Sequence, residues 1–207
     1  MGFSVISSGE ISDPDLASFS GGSGTRNDPY EITNVSQLQD IEDDMSAYYE
    51  LINDIDAWNT SDWNGGSGFD PIGDYYDQFK GGLEGNGYDI IGLKIKRSSE
   101  SYVGIFGYMA EGTFIANLSM VWSDVTGDSY TGSLVGYCHG LVNNTEVEGN
   151  LTGGSTSGGM VGRLYGGRMN NCSYKGNVTG TTYSGGLVGS LWDGAVVNYS
   201  VTNCSLD

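Results

Sequence analysis

Gly104-Ile-Phe-Gly107, Ser133-Leu-Val-Gly136, Gly159-Met-Val-Gly162 and Gly186-Leu-Val-Gly189 are four copies of one short motif, spread over the second half of the chain. The asparagines that follow them, Asn117, Asn144, Asn171 and Asn198, stand 27 residues apart at every step. A repeat of this length, with several short apolar patches and turn residues per unit, signals a solenoid whose coils must stack to bury a core. After each Asn the alternate positions read Leu118 and Met120, Thr145 and Val147, Cys172 and Tyr174, Tyr199 and Val201, with Ser119, Glu146, Ser173 and Ser200 between them. That alternation is a strand with one buried face.

A second strand follows, with Val125, Leu151, Val178 and Cys204 at its apolar position, and the Leu-Val-Gly patch makes a third. Gly127, Gly149, Gly153, Gly176 and Gly180 fall where corners of positive φ are needed. Leu93 and Ile95 match Leu118 and Met120, which adds a coil upstream. The reading is all-β: a parallel β-helix of about five coils, right-handed by the general rule for parallel crossovers.

Eight basic residues against 26 acidic give a net charge of −18, and 14 tyrosines with 35 glycines exclude both disorder and collagen. Such a charge repels phosphate backbones, so nucleic acid is a poor partner. No run is apolar enough for a transmembrane helix. The start, Met1-Gly-Phe-Ser-Val-Ile6, lacks the pattern of a signal peptide. Cys138, Cys172 and Cys204 have no metal-site spacing and read as core thiols, a Cys172 to Cys204 bridge between neighbouring coils being the alternative.

In chain order, residues 1–18 read as an arm, 19–78 as a capping region and 79–207 as the solenoid. Within the cap, Leu38, Ile41 and Met45 at helical spacing after an N-cap at Ser36 predict one short helix. Trp58 to Tyr76 reads as a long aromatic and acidic surface loop.

Several motifs taken together resemble the GLUG-repeat proteins of archaeal and bacterial cell surfaces: Phe19-Ser-Gly-Gly-Ser-Gly-Thr25 with Asp28-Pro-Tyr30, Tyr48-Tyr49, Asp54-Ile-Asp56, Phe69-Asp-Pro-Ile-Gly73, Leu83-Glu-Gly-Asn-Gly-Tyr88, the Gly-Leu-Val-Gly repeats and Asn171-Cys-Ser173. The resemblance covers roughly residues 19 to 204. It implies secretion, a right-handed β-helix and a stalk, adhesin or envelope role.

Nine Asn-x-Ser/Thr sequons stand at Asn34, Asn59, Asn117, Asn143, Asn150, Asn171, Asn177, Asn198 and Asn203. Asn117, Asn171 and Asn198 would line one outer column and Asn150, Asn177 and Asn203 another, either as N-glycan acceptors or as an amide ladder from coil to coil. Trp58, Trp63, Tyr75 and Tyr76 are candidates for stacking on sugar rings, and would make the chain an adhesin or carbohydrate-binding module. Asp54 and Asp56, with Asp70, Asp74 and Asp77 nearby, are candidates for Ca²⁺, though turn and capping duty suits them better; no other cofactor is called for. A carboxylate pair on a polysaccharide, or Cys138 with His139 as a nucleophilic pair, would be needed for an enzyme. The expectation is a non-enzymatic, secreted or cell-surface structural repeat protein, glycosylated, and polymerising through the arm and the last coil.

Overall fold

Among the described residues every pairing between named strands is parallel, coil on coil. A computed structural model describes residues 19–198 and 200–206, the side chains of 204–206 excepted. The chain winds as a parallel β-solenoid of about 4 turns. Below Phe106 the stacking continues through strands of two to four residues and single bridges such as Ile72 with Phe106.

Four-residue and shorter strands survive here because each contributes one rung to an apolar column. Tyr30 lies beside Tyr49, Tyr49 beside Leu83, Leu83 beside Ile115, Ile115 beside Val142, Val142 beside Met169 and Met169 beside Val197. A second column runs Ile55, Ile90, Met120, Val147 and Tyr174, and a third Ile95, Val125, Leu151 and Val178. A separate four-stranded sheet stacks Phe106, Val135, Val161 and Val188. Removing each such side chain from water contributes about 1.5–3 kcal/mol, so no coil folds alone but a stack does. Ile90, not Leu93, pairs with Met120, and Ile95 pairs with Val125. The upstream coil is therefore set differently from the sequence match.

Corners and close approaches are divided between two residue types. Asn117, Asn144 and Asn171 take the left-handed conformation, with φ of 53°, 51° and 50°. Asparagine tolerates that region better than other residues with a Cβ. The long strands Leu141–Thr152 and Arg168–Thr179 turn the corner at Asn144 and Asn171 without leaving the sheet. The repeat glycines serve contact instead: a Cβ on Gly136 would lie 2.7 Å from the Tyr130 carbonyl oxygen and 2.8 Å from that of Gly107. Gly127, Gly149, Gly153 and Gly180 are likewise not at positive φ, and only Gly176 of the expected five is.

The last coil is displaced by one residue. Trp192 still pairs with Tyr165, but Val196 pairs with Arg168, so the turn at 193–195 holds one residue more than the turn at 166–167. Asn198 therefore falls beside Asn170 rather than Asn171, and Asn203 beside Lys175. Leu206, not Cys204, takes the rung after Val178.

Toward the N-terminal end of the stack, the helix Val35–Gln39 runs into a 3-10 turn, Asp40–Asp44. Its N-cap is Asn34, not Ser36: Gln37 N–H donates to Asn34 Oδ1 at 3.0 Å. Val35, Leu38 and Ile41 enter the same core as Ile32 and Leu51. Gln39 then ties this segment to the following loop, donating to the Asp70 carbonyl at 3.0 Å and accepting from Asp70 N–H at 2.9 Å. The expected 58–76 loop contains a second 3-10 segment, Trp58–Gly66, broken by Asn64 and Gly65 at positive φ. The expected arm, 1–18, lies outside the described residues.

Candidate functional site

With the core columns fixed inward, function must come from what the strands present outward. At the Asn corner, Asn144 Nδ2 donates to Asn117 Oδ1 and Asn171 Nδ2 to Asn144 Oδ1, each at 2.7 Å, while Asn117 Nδ2 donates to Glu84 Oε1 at 2.8 Å. One wall further on, Asn177 Nδ2 donates to Asn150 Oδ1 at 3.1 Å. These are amide ladders, and the two expected columns are corrected at their last members. Asn198 donates to Asn170 Oδ1 at 3.1 Å, and Asn203 is exposed beside Lys175. Of the other sequons, Asn143 is half-buried between Ala116 and Asn170, Asn34 spends its Oδ1 on the helix cap, and Asn59 is exposed in the 3-10 segment.

The acidic residues of the loop do local work. Asp54 Oδ1 accepts from Asp89 N–H at 3.0 Å and Asp56 Oδ1 from Trp58 N–H at 3.1 Å. Asp74 closes its own turn onto Tyr76 and Asp77, and Asp70 faces Arg97 at 3.3 Å. Among the described residues no three His, Cys, Asp or Glu side chains converge as a cation site would require. Cys138 ends the strand Val135–Cys138 facing inward, and His139, in the bend that follows, is half-exposed. Cys138 is sealed in the core, where burial pushes its thiol up to about 12. The His139 ring lies outward against Tyr108, whose hydroxyl is 3.0 Å from Nε2, and burial lowers its pKa.

The four expected sugar-stacking aromatics separate. Trp63 is half-buried on Phe69, Tyr75 and Tyr76 meet edge to face, and Trp58 crosses to another wall. Tyr75 joins a face that sequence reading missed. Tyr108, Tyr137, Arg163 and Ser190 stand in register on the outside of the four-stranded sheet, each directly after a repeat glycine. Tyr108 and Tyr137 stack at 4.7 Å and 9°, Tyr102 and Tyr130 at 5.1 Å and 24°. The Arg163 guanidinium lies 4.7 Å from the Tyr130 ring and 5.4 Å from that of Trp192. Burial among the neighbouring rings pushes Tyr108 up to about 12. Tyr108 with Tyr137, and Tyr102 with Tyr130, turn their faces to one another, so the ladder links successive coils along this wall. The residue after each Gly-x-x-Gly copy was the available signal.

A different arrangement occupies the opposite strands. Met120 pairs with Val147 but Ser123 pairs with Gly149, so one extra residue is bulged out of Ser119–Thr126. Trp122 adopts φ 58° there, is 59% exposed, and stacks on Trp58 with centroids 6.1 Å apart and planes at 28°. Gly92 makes room for Trp58, since a Cβ there would lie 2.2 Å from the indole. Beside the pair opens a groove of about 350 Å³, lined by Ser123, Gly149, Gly176, Asp124, Glu148 and Lys175 among others. The sequence held a trace of it: Asp124 and Asn150 stand one residue closer than Asn117 and Asn144.

Columns of inward rungs and outward ladders define a repeat protein of the parallel β-solenoid class. A scan against profiles of known families gives no match, so the likeness to GLUG-repeat proteins rests on the motifs alone. Over 149 residues, 69% of this chain, the sequence is 36% identical to Halomucin of Haloquadratum walsbyi, a stretch that makes up 2% of Halomucin. Over 143 residues, 67% of this chain, it is 34% identical to a protein of Evansella cellulosilytica named as a Gly-rich membrane protein, of which the match is 16%. The chain thus spans only a small part of the relatives it matches. Among solved structures, a Bacteroides ovatus protein named as an immunoglobulin A1 protease superposes with a TM-score of 0.60 over 90% of this chain and 70% of that one. At 18% identity that likeness is one of fold.

Proposed function

We propose that this chain is a rigid, non-enzymatic structural module of a protein displayed at the cell surface. The observation that supports it best is the continuity of the ladders. Asparagine amides at the corner and tyrosine rings on one wall link successive coils outside, while apolar columns link them inside. A column bonded on its inner and outer surfaces resists bending. The resemblance to Halomucin and to a Gly-rich membrane protein supports the surface setting, as does a charge of −18, which keeps a displayed protein soluble.

Two further properties belong to this reading. N-glycans attach at exposed sequons, Asn59 first, since its side chain has no bonding partner among the described residues and a sugar there disturbs no ladder. At Asn117 and Asn171 a sugar on Nδ2 replaces one amide hydrogen and leaves the other for the ladder. Copies associate through apolar side chains that the described residues leave exposed, Leu191, Trp192 and Val201. Surface labelling of intact source cells with an antibody to this segment, followed by intact-mass analysis of the purified protein, tests the whole reading. Label confined to permeabilised cells would reject the surface role. An unmodified mass rejects the glycans, and a monomer at every concentration in sedimentation rejects the association.

A further inference from the structure

We propose that the groove beside Trp58 and Trp122 binds an extended, neutral oligosaccharide lying along the solenoid axis. The inference is independent of whether the module is structural, because it concerns one wall and its own side chains.

The floor of the groove is a column with almost no side chain. Ser123, Gly149 and Gly176 are stacked in register on successive coils. A Cβ on Gly149 would lie 2.1 Å from Ser123 Oγ, and one on Gly176 would lie 1.7 Å from the Gly149 carbonyl oxygen, so the floor is bare by necessity of packing. Side chains on either side of that column stand up as rims. Glu148 and Lys175 pair at 2.9 Å on one side; Asp124, Asn150 and Asn177 form the other, with Lys94 joined to Asp124 at 3.0 Å. At one end the floor meets the two indoles, 48% and 59% exposed.

Each part matches a saccharide. The axial C–H face of a pyranose needs a flat, exposed ring, and here a bulge turns a tryptophan outward while a glycine clears space for its partner; bulges that re-aim a side chain mark functional positions. Successive rungs are about 4.8 Å apart, close to the advance of a glycan chain per sugar, so hydroxyls of consecutive sugars meet consecutive rungs. Carboxylate, amide and ammonium groups stand along the rims and offer both acceptors and donors. Lys94 and Lys175 balance Asp124 and Glu148, which leaves the groove without local charge inside a strongly acidic molecule. A polyanion is repelled by the whole and gains nothing locally, so the ligand is neutral.

The test uses the full 207-residue chain produced without glycosylation, titrated with cellotetraose, mannotetraose, chitotetraose and maltotetraose, and with tetragalacturonate as the charged comparator. Tryptophan fluorescence and calorimetry report binding. At least one neutral tetrasaccharide should bind saturably and tetragalacturonate more weakly. Trp58→Ala and Trp122→Gly should each weaken that binding about tenfold or more, as loss of an aromatic anchor does. Trp122→Gly suits the left-handed backbone and keeps the fold, which circular dichroism verifies; Trp192→Ala, on the tyrosine wall, should leave affinity unchanged. No saturable binding by any of the four, tighter binding of tetragalacturonate, or affinity untouched by both tryptophan variants overturns the proposal.

Discussion

Trp122 carries the sharpest conflict between a residue and its backbone. A bulky side chain at positive φ costs about 1–3 kcal/mol, and with 59% of it exposed the indole recovers little through burial. Glycine in its place removes that cost and adds about 0.5–1 kcal/mol of unfolded-chain entropy to be lost. Trp122→Gly should therefore stabilise the protein by about 1 kcal/mol, read as a higher denaturant midpoint with unchanged slope. A lower midpoint would mean that the stack on Trp58 outweighs the strain. The core thiols make a second residue-scale case. Desolvation holds Cys138 up to about 12 and Cys172 up to about 11, so neither is a thiolate at neutral pH. In a Cys204→Ser background, a disulfide reagent at pH 8 should find no reactive thiol in the native protein and two after denaturation. Rapid labelling of the native state would refute the sealed core.

Among the elements, those that obey the 27-residue period were legible and those that break it were not. The strands after Asn117, Asn144 and Asn171 stack as expected because alternation fixes which face is buried, and a slip of one residue would turn every side chain over. The period said nothing of a turn that takes an extra residue at 193–195, and so Asn198 and Asn203 moved out of their columns. Nor does it encode a bulge, which is a departure from the repeat and is the feature that built the Trp58–Trp122 site. The tyrosine face was missed for another reason: outward residues after Gly107, Gly136 and Gly162 look like any strand surface until register puts their rings together. At the helix, spacing located the apolar face but not the cap, since Asn34 and Ser36 are both good N-caps and only backbone geometry separates them. Asn34→Ala should cost about 1 kcal/mol, whereas Ser36→Ala, inside the helix and exposed, should cost nothing or gain about a few tenths, alanine being the better helix former. Thermal melts of the two variants at equal concentration decide it, and equal losses would return the cap to Ser36.

For the molecule as a whole, charge rather than packing sets the response to solvent. A net charge of −18 acts on a chain with 26 acidic and 8 basic residues, and the ion pairs that offset it, such as Lys80 with Asp77 and Lys175 with Glu148, are exposed and worth little. Added salt weakens the pairs and the repulsion alike, but the excess of like charges means repulsion falls more. The screening length shrinks from about 30 Å at 0.01 M to about 3 Å at 1 M, so Tm at pH 7 should rise steadily across that range. The 3-10 turn Asp40–Asp44 is where pH acts with a known sign. Burial, then the neighbouring Asp43, raises Asp40, and burial with Asp70 and Asp43 raises Glu42 despite the hydrogen bond from Gln39. Groups raised in the folded state favour folding while protonated, so their contribution is present below the ordinary values of 3.8 and 4.5 and is lost as pH climbs through the raised ones. Asp40→Asn and Glu42→Gln should accordingly stabilise the protein at pH 7 in low salt, with the gain shrinking as pH falls toward 4 and as salt is added. A Tm that stays flat or falls with sodium chloride, or a gain that persists at pH 3, would show that something other than carboxylate repulsion limits stability.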